Sequence, residues 1–162
     1  VRVGQGFDIH RFSDDPNRPL VLGGVTFEGV RGLEGHSDAD AIAHACADAL
    51  LGAAGLGDIG QHFPDTDPQW KGVDSLKLLD HVAMLVRAQG WVIGNIDCSV
   101  VCEQPKLAPR RDEMQQKLSA VAGAPVSVKG RRAEGLGALG RQEGIACWAV
   151  AVIFQMENRS EV

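Results

Sequence analysis

The sequence predicts helices laid over a mixed sheet, an α/β or α+β sandwich, and three observations point there. Strand-like and helix-like patterns alternate along the chain. Its 162 residues suit one domain, long enough to bury roughly 70% of the unfolded surface without disulfide or metal staples. The composition, 44% hydrophobic and 23% charged, is that of a globular chain and not of a disordered one.

The run from Val1 to His10 reads as a strand that loosens at its glycines, and Leu20 to Phe27 as a strand and turn forming a short hairpin. Ser37 is read as the N-cap of a first helix, with Asp38 and Asp40 in its first turn, where the helix dipole favours anions. That helix continues through Leu51 and stops between Gly52 and Gly57. Residues 57–72 form a long connection rich in glycine, proline and aspartate, and such loops are usually functional, here as a lid. Asp74 or Ser75 caps a second helix with Leu76, Leu79, Val82 or Ala83 and Val86 at helical spacing, ended by Gly90. Asn95 to Cys102 reads as a strand. Pro109 opens a third helix with Met114, Leu118 and Val121 on one face, and Gly123 closes it. Val126 to Lys129 is a short strand, and Ile145 to Phe154 a long apolar one, central or at an oligomer interface. The domain is set at residues 1–155, with 156–162 as a frayed tail.

The charge balance removes several function classes. Sixteen Lys and Arg against 21 Asp and Glu leave a net charge of −5, the wrong sign for binding nucleic acid. No apolar run approaches the roughly 18 residues of a membrane span, and Val1 opens no signal-peptide pattern. Cys46, Cys98, Cys102 and Cys147 form no C-x-x-C pair and sit in apolar surroundings, as small buried hydrophobes of a reducing compartment do.

Five places could carry chemistry. Asp8 and His10, two apart on a strand, share a face, and His44 lies in the first helix. One carboxylate and two imidazoles suit zinc and leave a fourth position for substrate, with Asp40 or Asp48 as outer partners of His44. His36 and Ser37, read at a helix start, would seat a phosphate. The carboxylates Asp58, Asp65 and Asp67 either bind hydroxyl groups or cap turns. Cys102 to Ala108 presents backbone groups around a proline turn that could read a nucleobase edge. Lys129 to Gly137 sets cations and one carboxylate among glycines, as a polyphosphate and divalent-metal site would. Taken singly, each also has an ordinary structural reading.

Taken in order they resemble one family, 2-C-methyl-D-erythritol 2,4-cyclodiphosphate synthase of the non-mevalonate isoprenoid pathway. The resemblance rests on Gly4-x-Gly-Phe-Asp-Ile-His10, Gly35-His-Ser-Asp-Ala-Asp40 with His44, and Ala49-Leu-Leu-Gly-Ala-Ala54. It continues through Leu56-Gly-Asp-Ile-Gly60, Phe63-Pro-Asp-Thr-Asp-Pro68, Pro105-Lys106 and Gly140-Arg-x-Glu-Gly-Ile-Ala146, nearly the whole chain. It implies a ferredoxin-like α+β core, a homotrimer with active sites between subunits, and cyclisation of a cytidine-diphospho-methylerythritol 2-phosphate with release of CMP. Asp8, His10 and His44 then match the zinc ligands. His36 and Ser37 match contacts to the 2-phosphate, with His36 stabilising the transition state. Asp58, Ile59, Gly60 and Phe63, Pro64, Asp65, Thr66 and Asp67 match positions that hold the substrate's hydroxyls. Cys102, Pro105, Lys106, Leu107 and Ala108 match the cytidine loop, and Glu134 the ligand of a Mg²⁺ or Mn²⁺ on the diphosphate. Arg141 matches a residue beside an axial cavity that takes isoprenoid diphosphates. A cytoplasmic location, or the plastid stroma in a plant, follows from the same resemblance. So does the expectation that relatives carry a cytidylyltransferase or transit peptide ahead of this domain.

The chain departs from that pattern at two places. Arg131-Arg132-Ala133 stands where hydroxyl residues are usual, and Arg132 takes the position of a Thr that contacts the transition state. Ala138 replaces an aromatic residue of the axial cavity. The basic pair motivates an alternative, a zinc-containing trimer that binds a nucleotide or isoprenoid diphosphate with little turnover. A zinc hydrolase ranks last, because no glutamate base adjoins the ligands.

Overall fold

The computed structural model describes residues 1–156. The chain runs β1 (Arg2–Arg11), β2 (Leu20–Leu22), β3 (Val25–Phe27), α1 (Ala41–Ala54), α2 (Ile59–His62) and, past a 3-10 turn at Pro68–Trp70, α3 (Ser75–Ala88). It continues β4 (Val92–Val101), a second 3-10 turn at Ala108–Arg110, α4 (Arg111–Ala122), β5 (Val126–Arg131), α5 (Gly137–Gly140) and β6 (Gly144–Phe154). The expected tail from 157 on lies outside the described residues.

Four strands form one mixed sheet in the order β1-β6-β4-β5, antiparallel except for the parallel β4–β5 pair, and β2 pairs with β3 in a separate hairpin. The sheet-and-helix layering is the expected one; the connectivity is not that of a ferredoxin-like core, which alternates as β-α-β-β-α-β. Here the last two strands, β5 and β6, follow each other with only the four-residue α5 between them, and β6 inserts between β1 and β4. The long apolar strand is thus central. Its buried residues Ala149, Ala151 and Ile153 point one way, while Trp148 and Val150 point the other and stay exposed together with Val3, Phe7 and Ile9 of β1.

Gly4 and Gly6 do not loosen β1; they let it touch α1. A Cβ on Gly4 would lie 2.0 Å from the carbonyl oxygen of Ala49, and one on Gly6 would lie 2.1 Å from that of Ala45. Ala45, Ala49 and Ala53, spaced by four on α1, present the small face that this approach requires. α1 packs on β1 and β6, α3 on α1, and α4 on β5 and α3. All four cysteines are buried and free, with Cys46 and Cys98 sulfurs 3.2 Å apart at the helix–sheet boundary.

The first helix begins later than expected. Its N-cap is Asp40, whose carboxylate accepts from the Ile42 and Ala43 amides at 3.1 Å. The same carboxylate accepts from Gly23 and Gly24 in the β2–β3 turn at 2.9 and 2.7 Å, so it ties the hairpin to the helix start. Four backbone donors are enough to explain a carboxylate with no exposed surface. Asp74 caps α3 as read, through the Leu76 amide at 2.9 Å. Replacing Gly6 by Ala is expected to lower the unfolding free energy by about 2 kcal/mol. Urea denaturation checks this, and a loss near zero would mean that β1 has room to spare against α1.

Candidate active site

Alternation along β1 points Asp8 and His10 to the α1 side, just beyond the two glycines. One turn into α1, His44 faces them. The ligating atoms converge: His10 Nε2 and His44 Nδ1 lie 2.9 and 3.0 Å from Asp8 Oδ2, and 3.3 Å from each other. A tetrahedral ion with bonds of about 2.0–2.1 Å sets its ligand atoms about 3.3 Å apart, so the triad matches three corners of such a site. Among the described residues it is the one group of His, Cys, Asp and Glu that meets on a single point in this way.

The far sides of both rings fix which nitrogen faces Asp8. His10 Nδ1 donates to the Glu34 carbonyl at 2.7 Å, so Nε2 is turned toward the cluster. His44 Nε2 donates to Ser75 Oγ at 2.8 Å, so Nδ1 is turned toward it. Ser75 Oγ in turn donates to Asp38, which also accepts the Ser75 amide at 3.1 Å. This is the outer hydrogen bonding that a metal-binding imidazole needs. It comes from Asp38 through Ser75, and not from Asp40 or Asp48 as expected: Asp40 caps the helix, and Asp48 accepts the Ile59 amide at 3.2 Å.

Burial would push the Asp8 carboxyl up, but hydrogen bonds from His10 and His44 outweigh it and hold Asp8 well below the usual carboxylate range. Burial likewise pulls the His10 imidazole down, and the hydrogen bond and charge of Asp8 more than reverse this, leaving it above its ordinary value.

Ser37 and His36 lie ahead of α1 and not at its first turn. Ser37 Oγ accepts from the Ala39 amide at 3.1 Å and lies 3.1 Å from His44 Nε2. His36 Nε2 donates to the Asp67 carbonyl at 3.0 Å, so it holds the 57–72 loop. Both line a cavity of about 280 Å³ with His10, His44, Ile59, Gly60, Phe63, Asp65, Trp70 and Leu78. Of the expected lid residues, Asp58 and Asp67 instead cap α2 and the 3-10 turn, through the Gln61 and Gln69 amides at 3.0 Å each. Pro64 and Thr66 do not line this cavity. Phe63 stacks edge-on against Trp70 and His81, with centroids 5.0 and 5.6 Å apart, which anchors the loop to α3.

A second cavity, about 400 Å³, lies where β4 and β5 end side by side. Cys102, Pro105, Lys106, Leu107, Ala108, Arg131 and Arg132 line it, joined by Glu103 of the same Cys102–Ala108 segment and by Arg111 and Gln142, to which sequence reasoning gave no role. Burial pushes the Cys102 thiol up to about 11, so it is no nucleophile at neutral pH. Arg132 is not loose: its Nε and Nη2 both donate to Glu103 at 3.1 Å. Ala133 and Glu134 are not part of the lining, and Glu134 has a left-handed backbone at φ 53°. Arg141 lines a third cavity, about 630 Å³, with Arg11, Phe12, Arg31, Gln142 and Glu143, whereas Ala138 does not.

The profile of the YgbB family matches residues 1–154. The chain belongs to that family. It is 53% identical over 157 residues to the 2-C-methyl-D-erythritol 2,4-cyclodiphosphate synthase of Synechococcus elongatus, covering 95% of this chain and 97% of that protein. It is also 54% identical to a bifunctional enzyme IspD/IspF of Anaeromyxobacter dehalogenans, of which the chain spans only 40% of the length. Among solved structures, a 2C-methyl-D-erythritol-2,4-cyclodiphosphate synthase in a form bound to CDP superposes with a TM-score of 0.85 at 36% identity, covering 94% of this chain and 100% of that one. A Plasmodium falciparum IspF complex with CDP gives 0.83 at 33%, covering 96% and 97%.

For a YgbB-family chain with these three donors, ion binding must compete with protons. Because the His10 pKa lies above the ordinary value, Nε2 takes a proton early as pH falls, and the protonated ring cannot ligate. Zn²⁺ titrations are therefore expected to show an affinity that is level above that pKa and weakens progressively as pH drops below it. His44→Ala should not retain the ion at any pH. Tight zinc binding by that variant would place the ion elsewhere.

Proposed function

We propose that the chain is a cyclodiphosphate synthase. It converts 4-diphosphocytidyl-2-C-methyl-D-erythritol 2-phosphate to 2-C-methyl-D-erythritol 2,4-cyclodiphosphate and releases CMP. The observation that carries this reading is the convergence of Asp8, His10 and His44 at the mouth of the cavity that holds His36 and Ser37, in a chain whose full-length relatives bear that enzyme's name.

An oxygen of the 2-phosphate attacks the β-phosphorus in line, the bond from that phosphorus to the oxygen of the CMP phosphate breaks, and CMP leaves with the electron pair. Such a transfer asks for positioning and charge neutralisation more than for a covalent nucleophile. Asp8, His10 and His44 would hold Zn²⁺, which supplies Lewis acidity to phosphate oxygens. Ser37 offers a hydroxyl to the 2-phosphate, and His36, on releasing the Asp67 carbonyl, offers its imidazole N–H, stabilising charge as the new bond forms. Ile59, Gly60, Phe63 and Asp65 hold the methylerythritol part, and the lid from Asp58 to Gly72 keeps water from competing with ring closure. The backbone from Cys102 to Ala108 reads the cytosine, with Lys106 near the nucleotide. Arg131 and Arg132 face the diphosphate. Glu134 would supply a carboxylate to Mg²⁺ or Mn²⁺, which would offset charge on the diphosphate.

The zinc and nucleotide cavities are separate within one chain, and the apolar outer face of β1 and β6 is uncovered. Both features support a homotrimer whose active sites form between subunits, with the outer sheet face buried. A sedimentation mass of one copy would sink that assembly. Arg141, with Arg11 and Arg31, suits an isoprenoid diphosphate near the axis. We place the reaction in the bacterial cytoplasm, or in the plastid stroma if the source is a plant.

The second reading, a binding protein with little turnover, draws on Arg132, whose guanidinium is already engaged by Glu103. ³¹P NMR of the zinc- and magnesium-loaded protein with the cytidine-diphospho substrate separates the two. A cyclic diphosphate with stoichiometric CMP is expected. An unchanged substrate spectrum with zinc bound would favour the binder.

A further inference from the structure

Arg18, in the loop between β1 and β2, lies outside every motif considered above. Its partly buried guanidinium donates from Nε to the Leu33 carbonyl and from Nη2 to the carbonyls of Gly35 and Ser37, at 3.0 and 2.6 Å. These are alternate residues of the segment leading into α1. The two intervening carbonyls are also taken: Glu34 accepts from His10 Nδ1, and His36 accepts from the Gly72 amide, each at 2.7 Å. Segment 33–37 is thus held at every carbonyl, on one side by a single arginine and on the other by a metal-ligand histidine and the end of the lid.

We infer that Arg18 is a positioning residue for the reaction proposed above, acting through His36 and Ser37. This rests on that functional reading. A guanidinium is a planar fork that can satisfy several carbonyls at once, in the manner of a neighbouring strand; a lysine ammonium cannot reproduce the fork. The backbone is built to bring it there. Gly32 passes so close that a Cβ on it would lie 2.4 Å from the Arg18 carbonyl oxygen and 2.5 Å from that of Pro19. Without Arg18, three carbonyls beside His36 and Ser37 lose their donor, and the segment is free to turn them toward water. The displaced side chains are those that meet the attacking phosphate, so catalysis suffers while nucleotide binding, in the other cavity, does not.

The test compares zinc-loaded wild type, Arg18→Ala and Arg18→Lys. The expected result is a fall in kcat of roughly 100-fold in both variants, the scale of a small misplacement of reacting groups. Zinc content and CDP affinity by calorimetry stay at wild-type values. Guanidinium ion at a non-denaturing concentration restores turnover to Arg18→Ala, while methylammonium does not. Unchanged kcat in both variants would overturn the inference, and so would a loss matched by loss of zinc or of CDP binding without guanidinium rescue, since that is what general unfolding produces. A wild-type protein that makes no cyclic product would overturn the functional reading itself, and Arg18's part in it.

Discussion

Two residues without side chains set the distance on which the rest depends. Gly4 and Gly6 let β1 lie against the alanine face of α1 with backbone nearly touching backbone, and any Cβ there would enter the helix's own peptide groups. Only at that separation can Asp8 and His10, next along the same face of the strand, reach His44. The price of this closeness is tolerance: the seam has neither flexible side chains to yield nor space to absorb a methyl group. A glycine-and-alanine seam of this kind is a structural feature with a chemical purpose, since it turns an ordinary strand-on-helix contact into a three-donor cluster.

Around the seam, hydrogen bonds settle what packing leaves open. Asp40 joins the β2–β3 turn to the start of α1. Asp38 and Ser75 bring the start of α3 to the back of His44, and Arg18 with His10 holds the segment between. The carboxylates that sequence reading assigned to helix dipole and outer coordination therefore divide the work differently. Asp40 is structural, while Asp38 reaches His44 through the Ser75 hydroxyl. At the cavity where β4 and β5 end, Glu103 plays a comparable part by fixing the direction of Arg132.

What was legible in the sequence follows from how local each signal is. Asp8 and His10 could be paired from the two-residue period of a strand, and His44 stood out as the imidazole in an alanine-rich helix. The order of helices and strands was readable from periodicity. Helix α1 was begun too early because Ser37 is a good cap by residue type; its hydroxyl is instead used on the Ala39 amide and beside His44. Ser75 was read only as a possible helix cap and Arg18 left no signal, because a serine at a helix start and an arginine in a loop acquire their contacts to the site only from segments far away in the chain. The sheet order was equally hidden: nothing local says that the last strand enters between the first and the fourth.

The central claim is that Asp8, His10 and His44 hold one ion. Zinc K-edge X-ray absorption of the zinc-loaded protein tests it most directly, because the chain also buries three cysteines near the same helix, Cys46, Cys98 and Cys147. The expected spectrum has nitrogen and oxygen ligands at about 2.0–2.1 Å, imidazole scattering from two rings, and no sulfur. A sulfur shell at about 2.3 Å would contradict the assignment and move the ion to the cysteines.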